Sequence, residues 1–193
     1  MSFLKNQAAV TAGEGGGYLN PSKIPSGGSA RFALLAEEPL EFFECWGATA
    51  DGASRPFRFA SDPSPSDIEA EMGPEYTRKM NVEGTAPDPV KFGVAVPVYN
   101  FESKSIQVLS LTQKTIIKEI DQISQMTDEY ENLMEIDFIL SKQGSGLKTE
   151  YTLRPVPRKT SQAVIDKTWE AALTAGFDIT RMISGGNPFK EAA

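Results

Sequence analysis

Residues 91–160 read KFGVAVPVYNFESKSIQVLSLTQKTIIKEIDQISQMTDEYENLMEIDFILSKQGSGLKTEYTLRPVPRKT, and the periodicities within this stretch decide the fold. Phe92, Val94, Val96 and Val98 alternate, which puts four apolar side chains on one face of a strand. Pro97 cannot donate to a ladder and marks that strand as an edge or a bulge. After a turn over 100–104, SIQVLSLT reads as the partner strand of a hairpin. Thr112 is placed to cap a helix in which Ile116, Ile117, Ile120 and Ile123 recur at helical spacing. Met134, Ile136, Phe138 and Leu140 alternate with Glu135, Asp137 and Ser141, a disposition that sends the two acids away from the core. Gly144 and Gly146 make a tight turn, and 149–154 returns as a strand ended by Pro155. The order is strand, strand, helix, strand, strand.

Upstream, RFALLAEE, EFFECWG and RPFRFA are short aromatic-rich segments broken by Pro39, Gly47, Gly52 and Pro56, as expected of strands joined by turns. Together with the hairpin that follows them, they give a mainly β chain with the order of a five-stranded Greek-key barrel of the oligonucleotide-binding class (OB-fold), whose single helix lies between strands three and four. A ferredoxin-like fold would need another helix between the early strands. Residues 61–90 offer a poor one: five prolines and seven acids against Arg78 and Lys79 read as a mobile acidic loop or insertion. Ser66 and Glu69 have capping-box spacing, but Gly73 and Pro74 would end a helix there within two turns. The barrel domain is thus expected over 29–160. Residues 1–28, rich in Gly, Pro and Ser, read as a flexible arm. Downstream, Ser161 can cap a helix with Ile165, Trp169, Ala172 and Leu173 on one stripe and Gly176 as its stop, followed by a loose tail to 193. That stripe is expected to pack on the chain's own barrel.

Composition removes most enzyme plans. The 193 residues contain no histidine and one cysteine, Cys45, so Cys/His zinc sites, Ser-His-Asp and Cys-His catalysis and HExxH sites are excluded. No metal or cofactor is expected, and Cys45 reads as a small buried apolar residue. No apolar run reaches the roughly 18 residues a membrane span needs, and MSFLKNQAAV lacks a long apolar stretch with a cleavage site, so a cytoplasmic location is expected. The net charge of −7 disfavours nucleic acid unless bases gather in one groove. Residues 1–90 hold seven bases and 13 acids; residues 91–160 hold nine of each, six of those acids lying between 119 and 135. The remaining strands and turns of 91–160 are therefore net positive.

The segments VPVYNFESKSIQVLSLTQKTI and EIDFILSKQGSGLKTEYTLRPVPRK together resemble the single-stranded DNA-binding proteins of tailed bacteriophages. The resemblance is carried by the apolar hairpin, Gln113 to Ile116 at the helix start, Asp137, the Lys142 to Gly146 turn, Thr149, Tyr151 and the basic stretch from Pro155 to Lys159. It implies an OB barrel that coats single strands in phage replication, recombination or repair, in the host cytoplasm, with replication proteins as further partners. The chain departs from that group in two ways. It cannot build the zinc site some members carry, and it ends FKEAA where many end in an acidic tail.

A protein that coats single strands needs flat rings for bases and cations along the backbone path. The densest combination is Arg55, Phe57, Arg58 and Phe59 in RPFRF, with both phenylalanines on one strand face and thus divided between core and ligand. Trp46 is a second stacking candidate, and Tyr99 and Phe101 beside Lys104 at the hairpin tip are a third. Lys142 and Lys148 flank the glycine turn; Arg154, Arg158 and Lys159 lie on an extended segment suited to tracking phosphates. Tyr151 shares parity with Leu153 and reads as core. The leading expectation is a non-catalytic single-stranded DNA-binding protein in which RPFRF, the Tyr99–Lys104 hairpin and the Lys142–Lys148 turn meet around one groove. The competing readings are a protein–protein adaptor of a replisome or virion that rejects nucleic acid and, third, a carboxylate-metal nuclease.

Overall fold

In the computed structural model, which describes residues 17–126, 129–130, 132–158 and 160–190, the alternating segments pair into one large sheet. Nine strands and three α-helices are present among those residues: β1 (Tyr18–Leu19), β2 (Ser29–Leu34), β3 (Leu40–Ala48), β4 (Ser54–Phe59), α1 (Pro65–Met72), β5 (Thr77–Arg78), β6 (Lys91–Asn100), β7 (Ser105–Leu111), α2 (Lys114–Ser124), β8 (Ile136–Gln143), β9 (Glu150–Pro157) and α3 (Gln162–Thr174). The mixed sheet runs β1-β7-β6-β2-β8-β9, and β3 branches from β6 carrying β4 and β5. The chain is mainly β, as expected, but the sheet does not close on itself: among the described residues no ladder joins β7 to β9. Two features occupy that gap. β1 pairs in parallel with the outer edge of β7, and α2 packs between β7 and β9.

From α2, the Glu119 carboxylate accepts the Leu153 backbone N–H at 2.7 Å and so satisfies an edge amide that has no strand beside it. Glu119→Ala is expected to cost about 1–3 kcal/mol, the penalty for leaving a partly buried donor unpaired, and Glu119→Gln to restore part of it. Urea denaturation measures both; a midpoint unchanged in the alanine variant would show that the edge needs no side-chain partner.

Both faces of the sheet are covered. Toward α2 lie Phe32, Val98, Leu109, Phe138 and Leu140 with Ile116 of the helix, and the Phe32 and Phe138 rings stack with centroids 5.7 Å apart. On the opposite face Ala33, Tyr99 and Ile106 meet Ile165 of α3, while Phe42, Ala95 and Val108 meet Met182. β6 is therefore a central strand, not an edge. Its one side bonds to β3 over residues 91–95 and to β2 over 98–100, and Pro97 stands at the joint between them. The Pro97 carbonyl accepts from Leu35 N–H on that side, so the missing proline N–H faces the same joint, where no ladder bond is lost.

Other sequence expectations give way to longer-range packing. The 61–90 segment is docked rather than mobile. Its helix α1 starts at Ser64, whose side chain forms a capping box with Asp67, and ends at Gly73 with φ +64°. Hydrogen bonds from Ser64 hold the exposed Asp67 carboxyl below its ordinary range. Ile68 and Met72, one turn apart, pack onto Cys45 and Phe57, and β5 adds to β3. At α2 the N-cap is Gln113 instead of Thr112. The segment after α3 is held too: Met182 is fully buried, and Arg181 Nη1 donates to the carbonyls of Gly176 and Lys190. Of the expected N-terminal arm, residues 1–16 lie outside the described residues, and 17–28 are anchored by β1 and by buried Leu19 and Ile24. No helix among the described residues is long and apolar enough to cross a membrane.

Candidate nucleic-acid interface

The sequence candidates fall at two ends of β6. Register pairs Glu44 with Lys91 at the start of β6, so Arg58 and Phe59 of β4 lie level with that end and Trp46, Arg55 and Phe57 lie beyond it. The β6–β7 tip, with Phe101 and Lys104, lies beyond the other end. There Phe32 pairs with Asn100 and Ser29 with Ser141, which brings the Lys142–Lys148 turn to the same end across β2. Ten strand residues rising about 3.3 Å each separate the two groups by roughly 30 Å, so they do not share the one groove expected.

Several candidates are consumed by the fold. Phe57 is 3% exposed and Tyr99 is 4% exposed, each inside an apolar cluster, so neither presents a ring to a base. Tyr99 fails as a hairpin-tip ligand because α3 lies over that face. Phe59 packs half-buried beside Phe57, and Phe101 lies edge-on to Tyr99 with the Arg31 guanidinium 5.3 Å from its ring. Arg58 Nε donates to Glu44 Oε2 at 3.0 Å, both side chains largely buried. Arg158 Nε donates to Asp137 Oδ1 at 3.0 Å and its Nη2 to the Ile136 carbonyl at 2.8 Å. Asp137 itself is fully buried, not on a solvated face. Lys142 Nζ ties down the Ser22 carbonyl at 2.7 Å. Arg55, Lys104, Lys148 and Arg154 remain exposed, whereas Lys159 lies outside the described residues.

One grouping survives as a site. On β3 the side chains of Phe42, Glu44 and Trp46 share the face opposite α2, with Pro56 and Arg58 beside them on β4. Phe42 is fully buried beneath this row, while Glu44, Trp46, Pro56 and Arg58, with Tyr18 and Lys23 on one flank and Ser110 and Thr112 at the end of β7, enclose a groove of about 500 Å³. Trp46 is half-buried in it. Its Nε1 donates to Glu44 Oε1 at 3.1 Å, which fixes the indole, while Arg58 balances the Glu44 charge. The exposed Lys79 stands with Nζ 5.8 Å from the indole centroid. Gly93 permits this packing, because a Cβ there would come 2.6 Å from the Phe42 ring and 2.9 Å from the Leu111 carbonyl. Burial pushes the Tyr18 phenol above its ordinary range, with Arg58 acting against the shift, so at neutral pH it is a neutral donor.

The groove joins a flat ring to cations on its rims, a chemistry of binding. Among the described residues no three Cys, Asp or Glu side chains gather into a cation cage. Trp46 and Arg58 were legible in the sequence. Tyr18, Lys23 and Lys79 were not, since they arrive through the parallel β1–β7 pair and the β5–β3 pair, from segments whose composition reads as arm and loop. No family model matches the chain, and neither a curated protein nor a solved structure matches it.

Proposed function

We propose that this protein binds single-stranded DNA without sequence preference and without catalysis, as a coating protein of tailed-phage replication, recombination or repair in the host cytoplasm. The observation that carries the proposal is the Trp46 groove: an indole held at half-burial, with Lys79 beside it and Lys23 on the far rim. Strand order supports the same reading. Taken alone, β9-β8-β2-β6-β7, with α2 inserted between β7 and β8, follow the strand order of an OB fold, and the groove reaches the end of its third strand at Ser110. The competing adaptor reading draws on the net charge of −7 and on the engagement of Phe57, Arg58, Tyr99 and Arg158 inside the fold. It predicts no oligo(dT) binding at all.

Fluorescence anisotropy with labelled oligo(dT), against duplex of equal length, separates the two. Trp46→Ala should weaken oligo(dT) binding by about 1–3 kcal/mol, roughly 5- to 150-fold, with Trp46→Phe retaining most of the affinity. Lys23→Ala with Lys79→Ala should reduce the log–log salt slope by about 1.4, the value for two phosphate contacts on a single strand. Duplex bound as tightly as oligo(dT), or full affinity in Trp46→Ala, would sink the proposal.

A further inference from the structure

On the sheet face opposite the Trp46 groove, the main core stays open along one side. Helix α2 carries two apolar rows. Ile116 and Ile123 are buried against the sheet, whereas Ile117 and Ile120 are only half-buried and form one wall of a slot of about 360 Å³. Leu34, Phe92, Val94 and Val96 form the other wall. These sheet residues keep a residual exposure that Val98, Leu109 and Phe138, deeper in the same core, lack entirely. The lips of the slot are acidic: Glu37 and Glu41, on and after the β2–β3 connection, and Asp121 on α2 are all exposed, against Lys118 on the same rim.

An apolar slot with acidic lips selects its occupant by charge. A nucleic-acid strand or a fatty acid brings negative charge to negative lips, and a purely apolar segment leaves the lips unpaired. Apolar side chains flanked by lysine or arginine satisfy both walls and lips. We propose that this slot is a docking site for a short basic amphipathic segment of a partner protein, its apolar side chains between Ile117 and Val94 and its cations on Glu37, Glu41 and Asp121. The inference does not depend on the nucleic-acid reading, since the two surfaces lie on opposite faces of the sheet.

The probe is a short fluorescein-labelled helical peptide with leucines on one face and lysines on the other, added to the full chain. It should bind, and in a sample with labelled isoleucine methyls it should shift the signals of Ile117 and Ile120 while leaving Ile106 and Ile165 in place. Ala36→Trp, which fills the slot from its mouth, should weaken the peptide by about tenfold or more, and Glu41→Lys with Asp121→Lys by a similar factor. A peptide with the same lysines but serines for leucines should not bind. Equal binding of the serine peptide, or shifts at Ile106 and Ile165 in place of Ile117 and Ile120, would overturn the proposal. The methyl map decides the matter in the unmutated protein even if Ala36→Trp fails to fold. Two further results would assign the slot elsewhere and equally overturn it: a dimer that Ala36→Trp dissolves, or movement of the Ile117 and Ile120 signals on deleting residues 1–16 with no peptide present.

Discussion

Asp137→Ala is expected to lower folding stability by about 3–5 kcal/mol, the loss typical of removing one partner from a buried ion pair. The carboxylate is fully buried and holds two guanidiniums. Oδ2 accepts from Arg31 Nε at 2.9 Å and Nη2 at 2.6 Å, and Oδ1 accepts from Arg158 Nε at 3.0 Å. Its removal leaves the largely buried Arg158 and the partly exposed Arg31 facing each other with no carboxylate between them. Asp137→Asn, which keeps the shape and drops the charge, should fall between the alanine variant and the parent. Urea denaturation followed by tryptophan fluorescence gives the shift. If Asp137→Ala moves the midpoint no more than a surface change such as Lys148→Ala, for which about 0.5 kcal/mol is the usual limit, the cluster carries no net stability.

A loss of similar size, about 3–5 kcal/mol, is expected for Phe57→Ala. The ring fills the space among Cys45, Ile68 and Met72 and meets Tyr76 edge-on at 5.1 Å between centroids. Because Ile68 and Met72 are the buried residues of α1, the cavity also loosens the apolar anchor that holds that helix among the described residues. Two readouts should therefore move together: the melting temperature falls, and protease cleavage within 73–90 accelerates more than at other loops. The half-buried Phe59→Ala should do less on both counts. Unchanged cleavage at 73–90 with a melting loss below that of Phe59→Ala would mean that α1 is held by something other than this cluster.

The strands over 91–100, 105–111 and 136–143 and both the second and third helices were legible because their periods, 2 and 3.6, are local properties of the chain. What alternation does not report is whether the second face of a strand meets water. Asp137 does point away from the main core, as its parity says, but that direction leads to Arg31 and Arg158. The same blindness misplaced Tyr99, whose outward face is covered by α3. In 61–90, prolines and acids set the composition and masked Ile68 and Met72, whose i,i+4 spacing was the one local sign of a docked helix. Of the candidate groove, the residues on β3 and β4 were within reach of sequence reasoning. Those supplied by the segments around Tyr18 and Lys79 depended on pairings that no local pattern encodes.

The position of β2 between β6 and β8 also has a consequence for synthesis. Arg31 and its carboxylate partner are 106 residues apart in the chain. At a translation rate of about 5–20 residues per second, the β8 side of β2 waits roughly 5–20 s after Arg31 is made before its partner exists. For that interval Phe32 and a row of backbone amides are available to other nascent chains, and the hazard rises with expression rate. Non-local pairing of this kind also puts the intact chain among slow folders, on the millisecond-to-second scale. The ribosome-bound chain is thus most exposed to misassembly while residues 35–135 are being added, a window that a chaperone or slower translation would protect.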